Sequence, residues 1–215
     1  MGRLLAAVAL TLALAAPAAL ARPSQEPLPP PEHPAPEIAY RHSVPVGVWW
    51  NGALRRGVQM PAEGPDWFTW DPVRKRIPNR GWRRWGTDRL VRTVLGVIEQ
   101  YRLENALAPR VGIGDLSRTH GGDFGARFGG LGHASHQNGL DADIYYPRMD
   151  GQERRPFKPS QVDVDLAQDL VDRFLAAGAR VIYVGPSLDL KGPRKVVVPL
   201  VHHDDHLHVR LQLRR

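Results

Sequence analysis

Two stretches of the chain repeat apolar residues at helical spacing. Over 87–106, Leu90, Val91, Val94, Leu95, Ile98 and Tyr101 fall on one side, and Thr87 or Asp88 can cap the start. A second helix is predicted over 161–177. Pro159 and Ser160 open it, Ser160 and Asp163 stand at capping-box spacing, and Gly178 suits its stop. Strand patterns fall at 111–113, 140–146, 180–184, 196–201 and 206–213. Residues 114–139 read as a glycine-rich polar loop. Residues 44–86 show little clean periodicity and hold all six tryptophans, read as cover for the core under long loops. Strands set among two helices, joined by short links that favour antiparallel pairing, give an α+β class.

The amino terminus follows another pattern. Arg3 precedes an apolar run over 4–21 that ends in Ala19-Leu20-Ala21, the layout of a secretory signal. Residues 22–37 carry seven prolines and cannot pack into an element, so 22–39 reads as a linker. The expected organisation is a signal over 1–21, this linker, and one folded domain over 40–215, exported to the periplasm or to the cell wall and beyond. No membrane span is expected once the signal is removed. The chain has no cysteine, which excludes disulfides, thiolate metal ligands and a cysteine lipid anchor. Its formal charge of +7 favours anionic partners. For an exported chain these are wall polymers or lipid head groups rather than nucleic acid.

Chemistry concentrates in two segments that hold most of the nine histidines. In "GHASHQNGLDADIYY" (132–146), Asp141 and Asp143 share one strand face, with Leu140, Ala142 and Ile144 on the other. His133 and His136 lie just before them. In "HHDDHLHVRL" (202–211), His206, His208 and Arg210 point one way, and Leu207, Val209 and Leu211 the other. Two histidines and an aspartate suit a zinc site with one open position. There is no HExxH motif. By spacing alone, a metal hydrolase and a polar loop running into a strand stay equally open. Asp141 and Asp205 either orient imidazoles or are ordinary surface and turn acids. Arg118 reads as a solvated loop residue rather than a carboxylate binder.

"GHASHQNGLDADI" and "HDDHLHVRL" resemble the signature segments of the penicillin-insensitive murein endopeptidases. These sit in a wider zinc peptidase group with D-Ala-D-Ala carboxypeptidases, lysostaphin-type enzymes and the hedgehog fold. "NGALRRGVQMP" (51–61) and "GIGDLS" (112–117) extend the similarity more weakly. The resemblance implies zinc held by His136, Asp143 and His208, with His206 as the catalytic histidine. It makes His203 a further active-site histidine, and His133 one that touches the metal or only flanks it. It implies a central antiparallel sheet with flanking helices. It also implies peptidoglycan as partner, cut at its D-alanyl to meso-diaminopimelyl cross-links. The family's disulfide cysteines have no counterpart, and 148–160 matches no family segment. Two alternatives stand beside this: a D,D-carboxypeptidase or dipeptidase on the same scaffold, and a non-enzymatic wall-binding protein.

Overall fold

The computed structural model describes residues 35–125 and 133–213. The expected signal and most of the linker lie outside them, as does 126–132 of the glycine-rich loop. The described chain opens with a hairpin of β1 (Val44–Val48) and β2 (Asn51–Arg55). Short strands β3 (Val58–Gln59), β4 (Trp67–Thr69) and β5 (Trp85–Gly86) follow, then helix α1 (Asp88–Glu104). Next come β6 (Val111–Ile113), β7 (Asp141–Tyr145), helix α2 (Val164–Ala176), β8 (Ala179–Val184), β9 (Val197–Pro199) and β10 (His206–Leu211).

The main sheet has six strands in the order β4-β6-β7-β10-β8-β9. Its centre, β6 to β8, is antiparallel, as expected. Its two edges are not: β4 runs parallel to β6, and β9 parallel to β8. The physical reason is the length of the links. A parallel pair needs a crossover of a dozen or more residues. The chain between Thr69 and Val111 supplies one that contains α1, and the loop between Val184 and Val197 supplies the other. The fold is therefore α+β with a mixed sheet.

Both helices cover one face of that sheet. Leu90, Val94 and Ile98 of α1 pack with Leu170, Val171 and Phe174 of α2 against Ala142 and Ile144 of β7 and Leu207 and Val209 of β10. Thr87 caps α1, its hydroxyl accepting from the Leu90 amide at 3.1 Å. α2 starts later than expected. Residues Pro159–Gln161 form a separate 3-10 turn, and the cap is Asp163, whose carboxylate accepts from the Leu166 amide. Pro159 fits the tight turn, and Asp163 then competes successfully with Ser160 for the capping position. β7 is buried along both faces rather than half-solvated. On the side away from the helices, polar side chains are covered by the loop that carries His133 and His136.

Candidate metal centre

β7 and β10 build the floor of the site. Their register sets His208 across from Asp143, Arg210 across from Asp141, and His206 across from Tyr145. Directly opposed residues of an antiparallel pair share a face. All six side chains therefore project from the same side of the sheet, while Ala142, Ile144, Leu207 and Val209 face the helices.

His136 enters from the turn before β7. Its backbone is left-handed at φ 67°, and its ring is fully buried. Nδ1 lies 2.6 Å from the Leu116 carbonyl oxygen. A carbonyl only accepts, so Nδ1 carries the hydrogen and Nε2 presents a lone pair. That Nε2 is buried and finds no hydrogen-bond partner. It sits 3.2 Å from Asp143 Oδ1. His208 arrives at the same oxygen from below. Its Nε2 is 2.8 Å from Asp141 Oδ1, and its Nδ1 is 3.1 Å from Asp143 Oδ1. Asp141 also accepts from Arg210 Nε at 2.6 Å. With Asp141 taking the Nε2 hydrogen, a neutral His208 turns the Nδ1 lone pair toward Asp143.

Three electron-rich atoms thus meet without a donor among them. Such a cluster is repulsive until a proton or a cation enters it. The electrostatics show protons drawn to that place. Burial works to raise the Asp143 pKa, yet the charges of His136 and His206 hold it well below the carboxylate range. Burial works to lower the pKa of His208, yet hydrogen bonds and charge from Asp141 and Asp143 raise it. Two imidazole nitrogens and one carboxylate oxygen are a donor set that suits zinc.

His133 stands beside this group. Its ligand atom and those of His136 and Asp143 all lie within 4.8 Å of one another. Its Nε2 is 2.9 Å from Asp115 Oδ2 and 3.9 Å from Asp143 Oδ2. His206 is placed differently. Its Nδ1 is 2.6 Å from Asp205 Oδ1, and its Nε2 is 3.7 Å from Asp143 Oδ1. Burial lowers its pKa, but Asp143 and Asp205 outweigh burial and raise it. The His203 ring centroid lies 4.8 Å from that of His206. Burial, then the His206 charge, lower the pKa of His203.

Every histidine and aspartate singled out in the sequence therefore meets at this face. Asp141 backs His208, and Asp205 backs His206. Asp204 does not join them; it bonds Ser187. Arg118 donates to the Asp123 carbonyl at 2.6 Å. The sequence reading missed Asp115 and Arg83. Asp115 is the aspartate of "GIGDLS", two residues past the end of β6, and a polar residue there lands beside β7. Gly114 permits the approach, since a Cβ there would sit 3.1 Å from the Asp143 Cβ. Arg83 is fully buried, and its Nε donates to Asp115 Oδ1 at 2.6 Å.

A mixed α+β domain with a buried His/Asp cluster suited to a metal defines the class. Within it, residues 45–177 match the family model described as penicillin-insensitive murein endopeptidase, and the chain belongs to that family. It is 27% identical over 193 residues to a penicillin-insensitive murein endopeptidase of Yersinia enterocolitica (serotype O:8 / biotype 1B), covering 78% of this chain and 65% of that protein's length. The matched segment contains His133, His136, Asp141 and Asp143 and ends before β10. The places of His206 and His208 stand on geometry.

Proposed function

We propose that the chain is an exported, zinc-dependent murein endopeptidase that hydrolyses D-alanyl to meso-diaminopimelyl cross-links of peptidoglycan. The observation that carries this is the meeting of His136 Nε2 and His208 Nδ1 on Asp143 Oδ1, 3.2 and 3.1 Å away, with the His136 nitrogen buried and unpartnered. Family membership supports murein as substrate. In this reading 1–21 is a signal, 22–39 a tether to the wall-facing domain, and 40–215 a domain of the hedgehog and D-Ala-D-Ala peptidase kind.

His136, Asp143 and His208 hold the zinc, with His133 at its flank. When bound, the metal supplies Lewis acidity toward the scissile carbonyl and toward the attacking water. The remaining work belongs to side chains. Asp205 keeps the hydrogen on His206 Nδ1, which leaves Nε2 free to take a proton on the metal side and return it to the leaving amine. As an imidazolium, His206 also offsets negative charge that develops on the carbonyl oxygen. Asp141 fixes the His208 ring, and a fixed ring keeps a ligand in place. His203, its pKa lowered, lies one ring away as a second polar wall.

Product analysis on defined muropeptides tests the reading. Cross-linked dimers should be cut to monomers, and a chelator should stop the reaction. Release of terminal D-alanine from monomers, with dimers left intact, would instead assign a D,D-carboxypeptidase.

A further inference from the structure

The segment between β7 and α2 brings a cation to the site; it was expected to match no family segment, but it lies inside the family match over 45–177. It is closed at its base. The Met149 amide donates to Gln161 O at 3.0 Å and the Asp163 amide to Pro147 O at 2.9 Å, and Arg148 and Val162 form a β-bridge. It is clamped again at Glu153, whose carboxylate accepts from Arg110 Nε and Nη2 at 2.6 and 2.5 Å. Two residues on, Arg155 Nη1 donates to Asp205 Oδ2 at 2.6 Å. The other oxygen of Asp205 lies 2.6 Å from His206 Nδ1. The Arg155 guanidinium is also 5.2 Å from the Phe157 ring centroid.

The same three-membered chain recurs at two other imidazoles. Arg83 holds Asp115, which holds His133, and Arg210 holds Asp141, which holds His208. In each, the guanidinium keeps a carboxylate ionised and oriented, and the carboxylate sets which ring nitrogen carries the hydrogen. Arg210 lies on β10 and Arg83 in a 3-10 turn before β5, whereas Arg155 comes from the segment between β7 and α2. The Arg155 and Asp205 side chains are 28% and 20% exposed, so this link can be altered without opening the core.

We infer that Arg155 is a positioning residue for His206: through Asp205 it fixes the Nδ1–H tautomer and the aim of Nε2. This rests on the catalytic role proposed for His206. The competing role is substrate binding. A cavity of about 380 Å³ opens beside Arg155, Phe157 and Asp205, where a stem-peptide carboxylate could sit against the guanidinium.

The test uses the zinc-loaded full chain with Arg155→Ala, Arg155→Lys, Asp205→Asn and the double variant Arg155→Ala/Asp205→Asn. Zinc content should not change. On a cross-linked muropeptide dimer, Arg155→Ala should lower kcat by about 10–100-fold. KM should stay within about twofold. Arg155→Lys should recover part of the loss, and the double variant should be no worse than the worse single one. Imidazole ¹⁵N NMR should show one Nδ1–H tautomer for His206 in the wild type and a mixture in Arg155→Ala. A raised KM with kcat retained, or an unchanged His206 tautomer in Arg155→Ala, overturns the inference. If the wild type does not cut the dimer at all, the proposed function falls, and the tautomer comparison still decides the role of Arg155.

Discussion

His206 and His208 stand two apart on one strand face, yet their nitrogens have different neighbours. His208 turns Nδ1 to Asp143 Oδ1 at 3.1 Å, whereas His206 Nε2 stays 3.7 Å away and its Nδ1 is engaged by Asp205. His206→Ala should therefore keep its zinc and lose roughly 10²–10⁴-fold in turnover, the usual worth of a positioned acid or base. His208→Ala should lose both. Metal content and turnover measured on the same samples separate the two, and loss of zinc from His206→Ala would make that residue a ligand. Asp115 makes a second prediction at this scale. Burial works against its charge, but Arg83 and His133 overcome burial and bring its pKa down to about 2, from an ordinary 3.8. A carboxylate depressed in the folded state stabilises the fold above its unfolded pKa. That contribution, about 2 kcal/mol, is lost as the pH falls from 3.8 toward 2. Urea midpoints of the wild type should drop across that window more steeply than those of Asp115→Asn. At neutral pH the same substitution should cost roughly 3–5 kcal/mol, because it removes the carboxylate paired with the buried Arg83 guanidinium.

β10 has two faces with separate duties, and each can be damaged alone. Leu207 is fully buried against the helices, while its neighbours His206 and His208 face the site. Leu207→Ala should cost about 2–5 kcal/mol of stability and still leave zinc bound to each folded chain. Denaturant unfolding paired with metal analysis checks this; loss of zinc at native temperature would mean the two faces are not independent. The same period-2 pattern is why β7 and β10 were legible in the sequence, and with them the shared face of Asp141, Asp143, His206 and His208. α1 was legible for the same kind of reason, its cap and apolar stripe agreeing. Other parts were hidden. The hairpin strands are as long as β7, but neither alternates apolar and polar positions, with Pro45, Gly47 and Gly52 interrupting them, and β3, β4 and β5 are too short for a period to register, so the tryptophan-rich stretch gave no elements. There, Trp67 and Trp70 are buried as cover for the core, but Trp50 is exposed. The parallel edges depend on which strands the crossovers reach, and a local pattern does not encode that. Arg83, Asp115 and Arg155 were illegible as site residues because none lies in the two histidine-rich segments or on the strand faces that the period-2 pattern reveals.

At the scale of the whole molecule, the cluster ties the turn that carries His136 to two strands already paired in the sheet. Asp143 is on β7, His208 on β10, and His136 on the turn from the glycine-rich loop, pinned through Leu116 to the chain beyond β6. A metal at their meeting point would link all three, so its binding energy would add to the stability of the fold. At a hundredfold excess of zinc over Kd, that addition is about 2.7 kcal/mol, and chelation should lower the melting temperature by roughly 5–10 °C. The chain belongs to the murein endopeptidase family, and its excess of basic residues favours anionic partners. All of this rests on the ion, and elemental analysis of protein purified without chelator tests it most directly, with Asp143→Ala run beside it. One zinc per wild-type chain and none in the variant is the predicted result. A folded wild type that holds no zinc, even after reconstitution, would contradict the account.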